Sequence, residues 1–206
     1  MSVVVITGSS SGIGKELCRL YREAGDTVVG LARTASGEDD IKVDVTDFAA
    51  LREAIKEAGE KHGRIDTVIA CAGGGLSGAT ELLPTDELIK QTDLNYIGAA
   101  ETVRAALKYM DRGGKAVFIS SACALFALPY RAAYCASKAA VNMLAFGLYM
   151  ELKDKGIRVC SICPGDIKTN FTENRVKYGE GGERYGDAPQ KSADKIDSRE
   201  NKRMKL

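Results

Sequence analysis

Two rhythms of apolar residues alternate along the chain. Short β-branched runs are apolar at successive positions, and the segments between them carry apolar residues three and four apart. The first kind predicts strands over Ser2–Thr7, Thr27–Leu31, Ile41–Val43, Thr67–Cys71, Lys115–Ser120 and Arg158–Cys163. The second predicts helices over Lys15–Ala24, Asp47–Lys61 (capped by Asp47 or Thr46), Asp86–Met110 and Tyr134–Lys153. Strands apolar on both faces, each followed by a helix, belong in a parallel sheet covered on both sides. Such an α/β sheet binds ligands at the carboxyl ends of its strands, near the point where strand order reverses. Residues 1–171 read as one domain with no internal repeat or linker. Residues 172–206 are rich in Glu, Lys, Arg, Asp and Gly and read as a charged, mobile tail of that domain.

Charge and composition remove several function classes. The 206 residues carry 29 basic and 28 acidic side chains, with no one-sided basic stripe for nucleic acid. Apolar runs reach strand length, short of the ~20 residues that span a bilayer. Met1-Ser2-Val3-Val4 has no basic leader region, so a cytoplasmic setting away from membranes is expected. Cys160 and Cys163 have C-x-x-C spacing, but residues three apart on a strand face opposite ways and no second pair completes a zinc site. The six cysteines therefore read as structural, no metal is expected, and His62, before Gly63, reads as a solvated helix end.

Candidate chemistry begins with Tyr134 and Lys138, one helical turn apart on a shared face. A free Tyr titrates near ~10. A lysine charge ~4–5 Å away, at an effective dielectric of ~20, supplies the ~4 kcal/mol that moves a phenol down by ~3 units. The pair is a candidate general acid/base. Near the start of the chain, Thr7-Gly8-Ser9-Ser10-Ser11-Gly12-Ile13-Gly14 leaves a strand and enters a helix. Glycines there let backbone approach a pyrophosphate, and the helix start offers unpaired N–H groups. The same residues fit G-x-S-x-G, but that elbow needs a later histidine, and His62 is unsuitable. The second strand ends in Ala32-Arg33 without the usual ribose-binding acid, so Arg33 points to NADP(H), with NAD(H) the other possibility. Asp44-Val45 closes the third strand where an adenine ring would sit, although Asp44 serves equally well as a turn or cap residue.

With these residues in place, the stretch from Val3 to about Asn170 resembles the single-domain short-chain dehydrogenase/reductases. Thr7-Gly8-x-x-x-Gly12-Ile13-Gly14 is similar to that family's cofactor loop, and Asn95 stands at the asparagine of its long fourth helix. Ser121 precedes Tyr134 at the family's spacing, and Pro164-Gly165-Asp166-Ile167-Lys168-Thr169 matches its Pro-Gly-x-x-x-Thr turn. The resemblance implies a Rossmann-type doubly wound sheet and hydride transfer between a nicotinamide and a carbonyl or secondary alcohol. Tyr134 would be the acid/base, and Lys138 would lower its pKa and hold the nicotinamide ribose. Ser121 would hold the substrate oxygen, Ser120 facing away from it, and Asn95 would hold a water leading from Lys138 to solvent. The cofactor set is then Gly8, Ser10, Ser11, Gly12, Ile13, Gly14, Arg33, Asp44, Val45, Ala72, Gly73, Asn95, Tyr134, Lys138, Pro164, Gly165, Ile167 and Thr169.

Two departures matter. Ala70-Cys71-Ala72-Gly73 stands where relatives commonly have Asn-Asn-Ala-Gly, so a strand-tying Asn is missing at Cys71. Relatives also continue for roughly a helix and a seventh strand beyond this chain. The expected sheet lacks that last helix and strand, and its edge is open unless the tail or another chain covers it. The alternatives to a working enzyme are a dinucleotide sensor without turnover, a truncated inactive relative, or a scaffold. Finally, Ala139, Met143, Phe146 and Met150 form one apolar row of the Tyr134 helix, and Val141, Leu144, Leu148 and Leu152 another. One row fits the sheet, and the other a second subunit, giving a homodimer or homotetramer through this helix and Asp86–Met110.

Overall fold

The computed structural model describes residues 1–35 and 37–202. Its first strand, β1 (Val3–Thr7), is buried at every position, as five apolar or β-branched residues must be when both faces are covered. The helix α1 (Gly12–Glu23) returns the chain to β2 (Thr27–Ala32) and the short β3 (Ile41–Lys42). The helix α2 (Phe48–His62) follows, capped by Asp47, whose side chain accepts from the Ala50 N–H at 3.0 Å. It ends at Gly63, where the sequence predicts a helix end, in a left-handed conformation, but His62 Nε2 is buried without a partner among the described residues, so that side chain is not simply solvated.

The chain continues through β4 (Thr67–Ala70), the short β5 (Leu76–Ser77), α3 (Thr85–Thr92) and α4 (Gly98–Ala106). The single helix expected over Asp86–Met110 is therefore divided: a π-helical turn at Asp93–Ile97 joins α3 to α4, and a 3₁₀ turn at Leu107–Tyr109 ends it. Next come β6 (Lys115–Ile119), the long α5 (Ala132–Leu152) and β7 (Arg158–Ile162). The segment after Asn170 carries β8 (Val176–Lys177), α6 (Gly182–Tyr185) and α7 (Ala188–Asn201). Its last four residues, 203–206, lie outside the described residues.

The main sheet is six-stranded in the order β3-β2-β1-β4-β6-β7, with every neighbouring pair parallel. Order reverses between β1 and β4, in register Val5↔Val68, which is where a doubly wound sheet opens a crevice. One core fills the face under α2, α4 and α5, with Val5, Leu31, Leu51, Ile55, Val68 and Phe118 at its centre. On the opposite face α1 packs over Val4, Ile6, Val28 and Ile69. That cover does not reach β7, where Cys160 and Ile162 are exposed. Among the described residues no strand pairs with the outer edge of β7; the tail instead pairs β8 with β5 and crosses the cleft. Along α5, Val141 is buried while Met143, Phe146 and Met150 face outward, so the two apolar rows do take different surroundings. No described helix is long and apolar enough to cross a membrane.

Candidate active site

The carboxyl ends of β1 and β4 meet so closely that side chains are excluded. Gly8 has φ of 72°, and a Cβ there would lie 2.9 Å from Ala72 Cα. A Cβ on Gly14 would lie 2.3 Å from the Gly8 carbonyl oxygen. The loop thus packs backbone on backbone and delivers the start of α1 to the crevice. Ser11 caps α1 without a side-chain hydrogen bond, leaving the first-turn N–H groups available to an anion. Thr7, buried at the end of β1, accepts hydrogen bonds from the Cys71 and Ala72 N–H groups at 3.0 and 3.2 Å. The strand tie expected to be missing with the Asn at Cys71 is made by Thr7. Burial pushes the Cys71 thiol up to about 12, which makes it a packing group and not a nucleophile.

Tyr134, Lys138 and Ser121 converge on the same cleft from α5 and the end of β6. All three are nearly buried, at 5%, 4% and 9% exposure, as a side chain must be for the protein field to act on it strongly. Ser121 Oγ accepts from the Cys123 N–H at 3.1 Å and acts on the Tyr134 hydroxyl in the direction that lowers its pKa. Ser120 also borders the cleft, but its hydroxyl is committed to the Lys138 carbonyl, to which it donates at 3.1 Å. Lys138 Nζ donates to the Ile119 carbonyl at 2.9 Å, and burial lowers its pKa to about 8. The Tyr134 phenol is shifted upward: burial is the largest influence, opposed by Ser121 and then by the Arg131 charge. Lys138 is not among the leading influences on it, contrary to the dominant electrostatic pairing expected from spacing. The ammonium is directed at β6 and at Gly73, where a Cβ would come within 3.2 Å of it.

Asn95 is fully buried in the π-helical turn, a conformation that often re-aims side chains at functional sites. Its Oδ1 accepts from the Gly74 N–H at 2.9 Å, and its Nδ2 donates to the Gly74 carbonyl and to Ser137 Oγ, each at 3.0 Å. Ser137 in turn donates to the Tyr134 carbonyl at 2.8 Å. Asn95 therefore fastens the loop after β4 to the helix that carries Tyr134.

The cleft holds about 480 Å³ and is lined by Gly8, Ser11, Gly12, Ile13, Gly14, Arg33, Ala72, Gly73, Ser121, Tyr134, Lys138, Pro164, Gly165, Ile167 and Thr169. Four expected contacts do not line it. Asn95 is fully buried and outside its lining. Ser10 is exposed, and Val45 is buried in the core. Asp44 accepts from the Thr46 N–H and hydroxyl at 2.9 and 2.8 Å, the turn role that spacing left open, and these bonds hold its carboxyl below the usual range. Four residues that sequence reasoning did not single out shape the site: Thr7, Ser137, Arg131 and Glu200. Arg131 stacks with its guanidinium 4.3 Å from the centre of the Tyr134 ring, and Phe171 packs its own ring 5.9 Å away. From α7, Glu200 reaches Thr172 and, at 2.5 Å, Arg175, while Arg199 meets Asp166 at 3.1 Å. The position of Arg131, three residues before Tyr134 and just ahead of α5, was its only sequence signal; Glu200 had none.

A family model described as short chain dehydrogenase matches residues 2–178. A 3-ketodihydrosphingosine reductase of Bacteroides thetaiotaomicron is 37% identical over 179 residues, covering 84% of this chain and 66% of that protein. A dehydrogenase/reductase SDR family member 7B of Rattus norvegicus is 32% identical, covering 90% of this chain and 63% of that protein. The chain thus spans a little under two thirds of the length of these curated relatives. Among solved structures, a short-chain dehydrogenase from Streptomyces avermitilis superposes with a TM-score of 0.83 at 28% identity, covering all of this chain and 86% of that one. A 4-hydroxyisoleucine dehydrogenase complexed with NADH gives 0.76 at 28% identity, with 82% and 77% covered. This chain belongs to the short-chain dehydrogenase/reductase family, oxidoreductases on a Rossmann-like sheet that use NAD(H) or NADP(H).

Proposed function

We propose that this chain supplies the catalytic domain of an NADP(H)-dependent oxidoreductase acting on a carbonyl or secondary alcohol. The convergence of Ser121, Tyr134 and Lys138 beside a side-chain-free glycine loop carries the reading. The residues fit a dinucleotide: Gly8, Gly12 and Gly14 with the start of α1 would hold the pyrophosphate, and Arg33 would meet a 2′-phosphate. Gly73, Lys138, Pro164 and Thr169 would hold the nicotinamide half. When bound, the nicotinamide supplies or takes the hydride.

The protein's own part is proton transfer and positioning. Ser121 Oγ orients the substrate oxygen beside the Tyr134 hydroxyl. The raised pKa of Tyr134 keeps it protonated at neutral pH, the state needed to give a proton to the oxygen of a carbonyl being reduced. Asn95 and Ser137 hold the geometry through Gly74 and the Tyr134 carbonyl. The outward row of Met143, Phe146 and Met150 would be covered by a second copy, making the enzyme a homo-oligomer.

Following NADPH oxidation against a panel of ketones and aldehydes tests the chemistry. Tyr134→Phe should lower kcat by at least 10²-fold while leaving NADPH affinity within about two-fold, since it removes the proton and little else. Retained turnover would refute the assignment. For the coenzyme, Arg33→Ala should weaken NADPH by about ten-fold or more, the scale of one charge-assisted phosphate contact, and NADH hardly at all. Equal losses for both would return the preference to NAD(H).

A further inference from the structure

Arg131 is the residue just before α5, and it is 4% exposed. A guanidinium removed from water normally recovers its hydration through several hydrogen bonds. This one does not. Among the described residues its Nε and Nη2 are buried with no partner, and its Nη1 is 3.9 Å from Glu200 Oε1, beyond hydrogen-bonding distance. The stacking on Tyr134 fixes the plane of the group without satisfying its in-plane N–H donors. Arg175, equally buried, shows the contrast: it donates to Asp197 at 2.9 Å and to Glu200 at 2.5 Å. Glu200 is thereby committed to Arg175 and Thr172, and only its second oxygen approaches Arg131.

We propose that Arg131 is a receptor for a carboxylate carried by the substrate, so that the preferred substrates of the Tyr134 site are oxo acids or the corresponding hydroxy acids. The planar fork of donors matches a carboxylate held by two parallel hydrogen bonds. Its apolar neighbours, with Tyr134 and Phe171 beside it and Phe126 and Leu128 also lining the cleft, lower the local dielectric and strengthen such a pair. A substrate whose carbonyl sits on Tyr134 and Ser121 would place a carboxylate a few bonds away within reach of Arg131. The same chemistry has a second source, since Glu200 presents a carboxylate to Arg131 when α7 is docked. A substrate acid and Glu200 then compete for one guanidinium. This inference rests on the oxidoreductase reading for its carbonyl and on the unpartnered guanidinium for its acid.

Calorimetric titration with 2-, 3- and 4-oxopentanoate and their methyl esters, with and without NADPH, tests it independently of turnover. At least one acid should bind ten-fold or more tightly than its ester. Arg131→Gln should abolish that preference, Arg131→Lys should keep part of it, and Glu200→Gln should raise the ratio of acid to ester affinity. No preference for any acid, or a preference that survives Arg131→Gln, overturns the proposal and leaves Arg131–Glu200 as a structural latch. Should Arg131→Gln fail to give a cooperative melt, Glu200→Gln decides, because an unchanged or weaker acid preference also overturns it. Parallel NADPH-oxidation assays separate the two readings. Acid-selective binding without reduction of any probe removes the oxidoreductase and keeps the carboxylate site; reduction of esters and acids alike does the reverse.

Discussion

Lys138 carries a cost that its chemistry requires. An ammonium that the unfolded chain would hold to an ordinary 10.5 is released near 8 in the folded protein, because burial disfavours its charge. Between those two values the unfolded chain binds more protons than the folded one, so stability rises with pH across that window. The penalty borne at neutral pH is on the order of 3 kcal/mol. Lys138→Met removes it and also removes the hydrogen bond to the Ile119 carbonyl, worth about 1 kcal/mol. The expected signature is therefore a slope: in urea melts, the stability of Lys138→Met relative to wild type should decline steadily as pH is raised from 7.5 to 10. A difference independent of pH would mean that Lys138 is not desolvated as described. The pairing of Tyr134 with Lys138 was suggested by spacing, since i and i+4 on a helix share a face, whereas Ser121 came from the family resemblance. Their electrostatics were not, because burial and the neighbouring Arg131 are tertiary facts that no local spacing contains.

At the scale of elements, alternation of strand and helix was readable because both periods repeat over many residues. The π-helical turn at Asp93–Ile97 escaped that reading, since one extra residue in a helical turn barely disturbs an apolar pattern running from α3 into α4. Yet this turn fixes Asn95 against Gly74 and Ser137. Thr7 was missed for a related reason: in the sequence it completes a β-branched run, and only the parallel pairing of β1 with β4 brings the Cys71 and Ala72 N–H groups to its hydroxyl. Thr7→Val keeps the shape and the β propensity and removes the acceptor. Two largely buried N–H donors are then left unmet, at about 1–3 kcal/mol each if neither finds water. Thr7→Val should lower urea-denaturation stability by roughly 2 kcal/mol or more, with Thr7→Ser close to wild type. A loss below about 0.5 kcal/mol in Thr7→Val would show that the strands are tied elsewhere.

For the whole molecule, composition misdescribed the segment after Asn170. Low hydrophobicity predicts poor burial, but this stretch gains its order from charge pairing. Arg175, with no side-chain exposure, is held by Asp197 and Glu200, and Ala193 of α7 is buried at 2%. Pairing across 22 and 25 residues cannot be inferred from charge content alone. The outward face of α5 is the complementary case, where sequence periodicity marked two apolar rows and the fold buries one of them. Met143 and Met150 are each 70% exposed and Phe146 59%, a contiguous apolar stripe that a second copy would remove from water. On a two-fold axis each residue of that stripe is counted twice. Fully burying a phenylalanine is worth about 1.5–3 kcal/mol, and Phe146 has 59% still to bury, so Phe146→Glu on both helices should cost about 2–4 kcal/mol of association. That is a weakening of roughly 30- to 10³-fold in Kd. In sedimentation at micromolar concentration the wild type should run as a dimer or tetramer, and Phe146→Glu should run one association step smaller while still melting cooperatively, at a temperature that no longer depends on protein concentration to the same degree. A monomeric wild type across that range would mean that the stripe serves another partner or none.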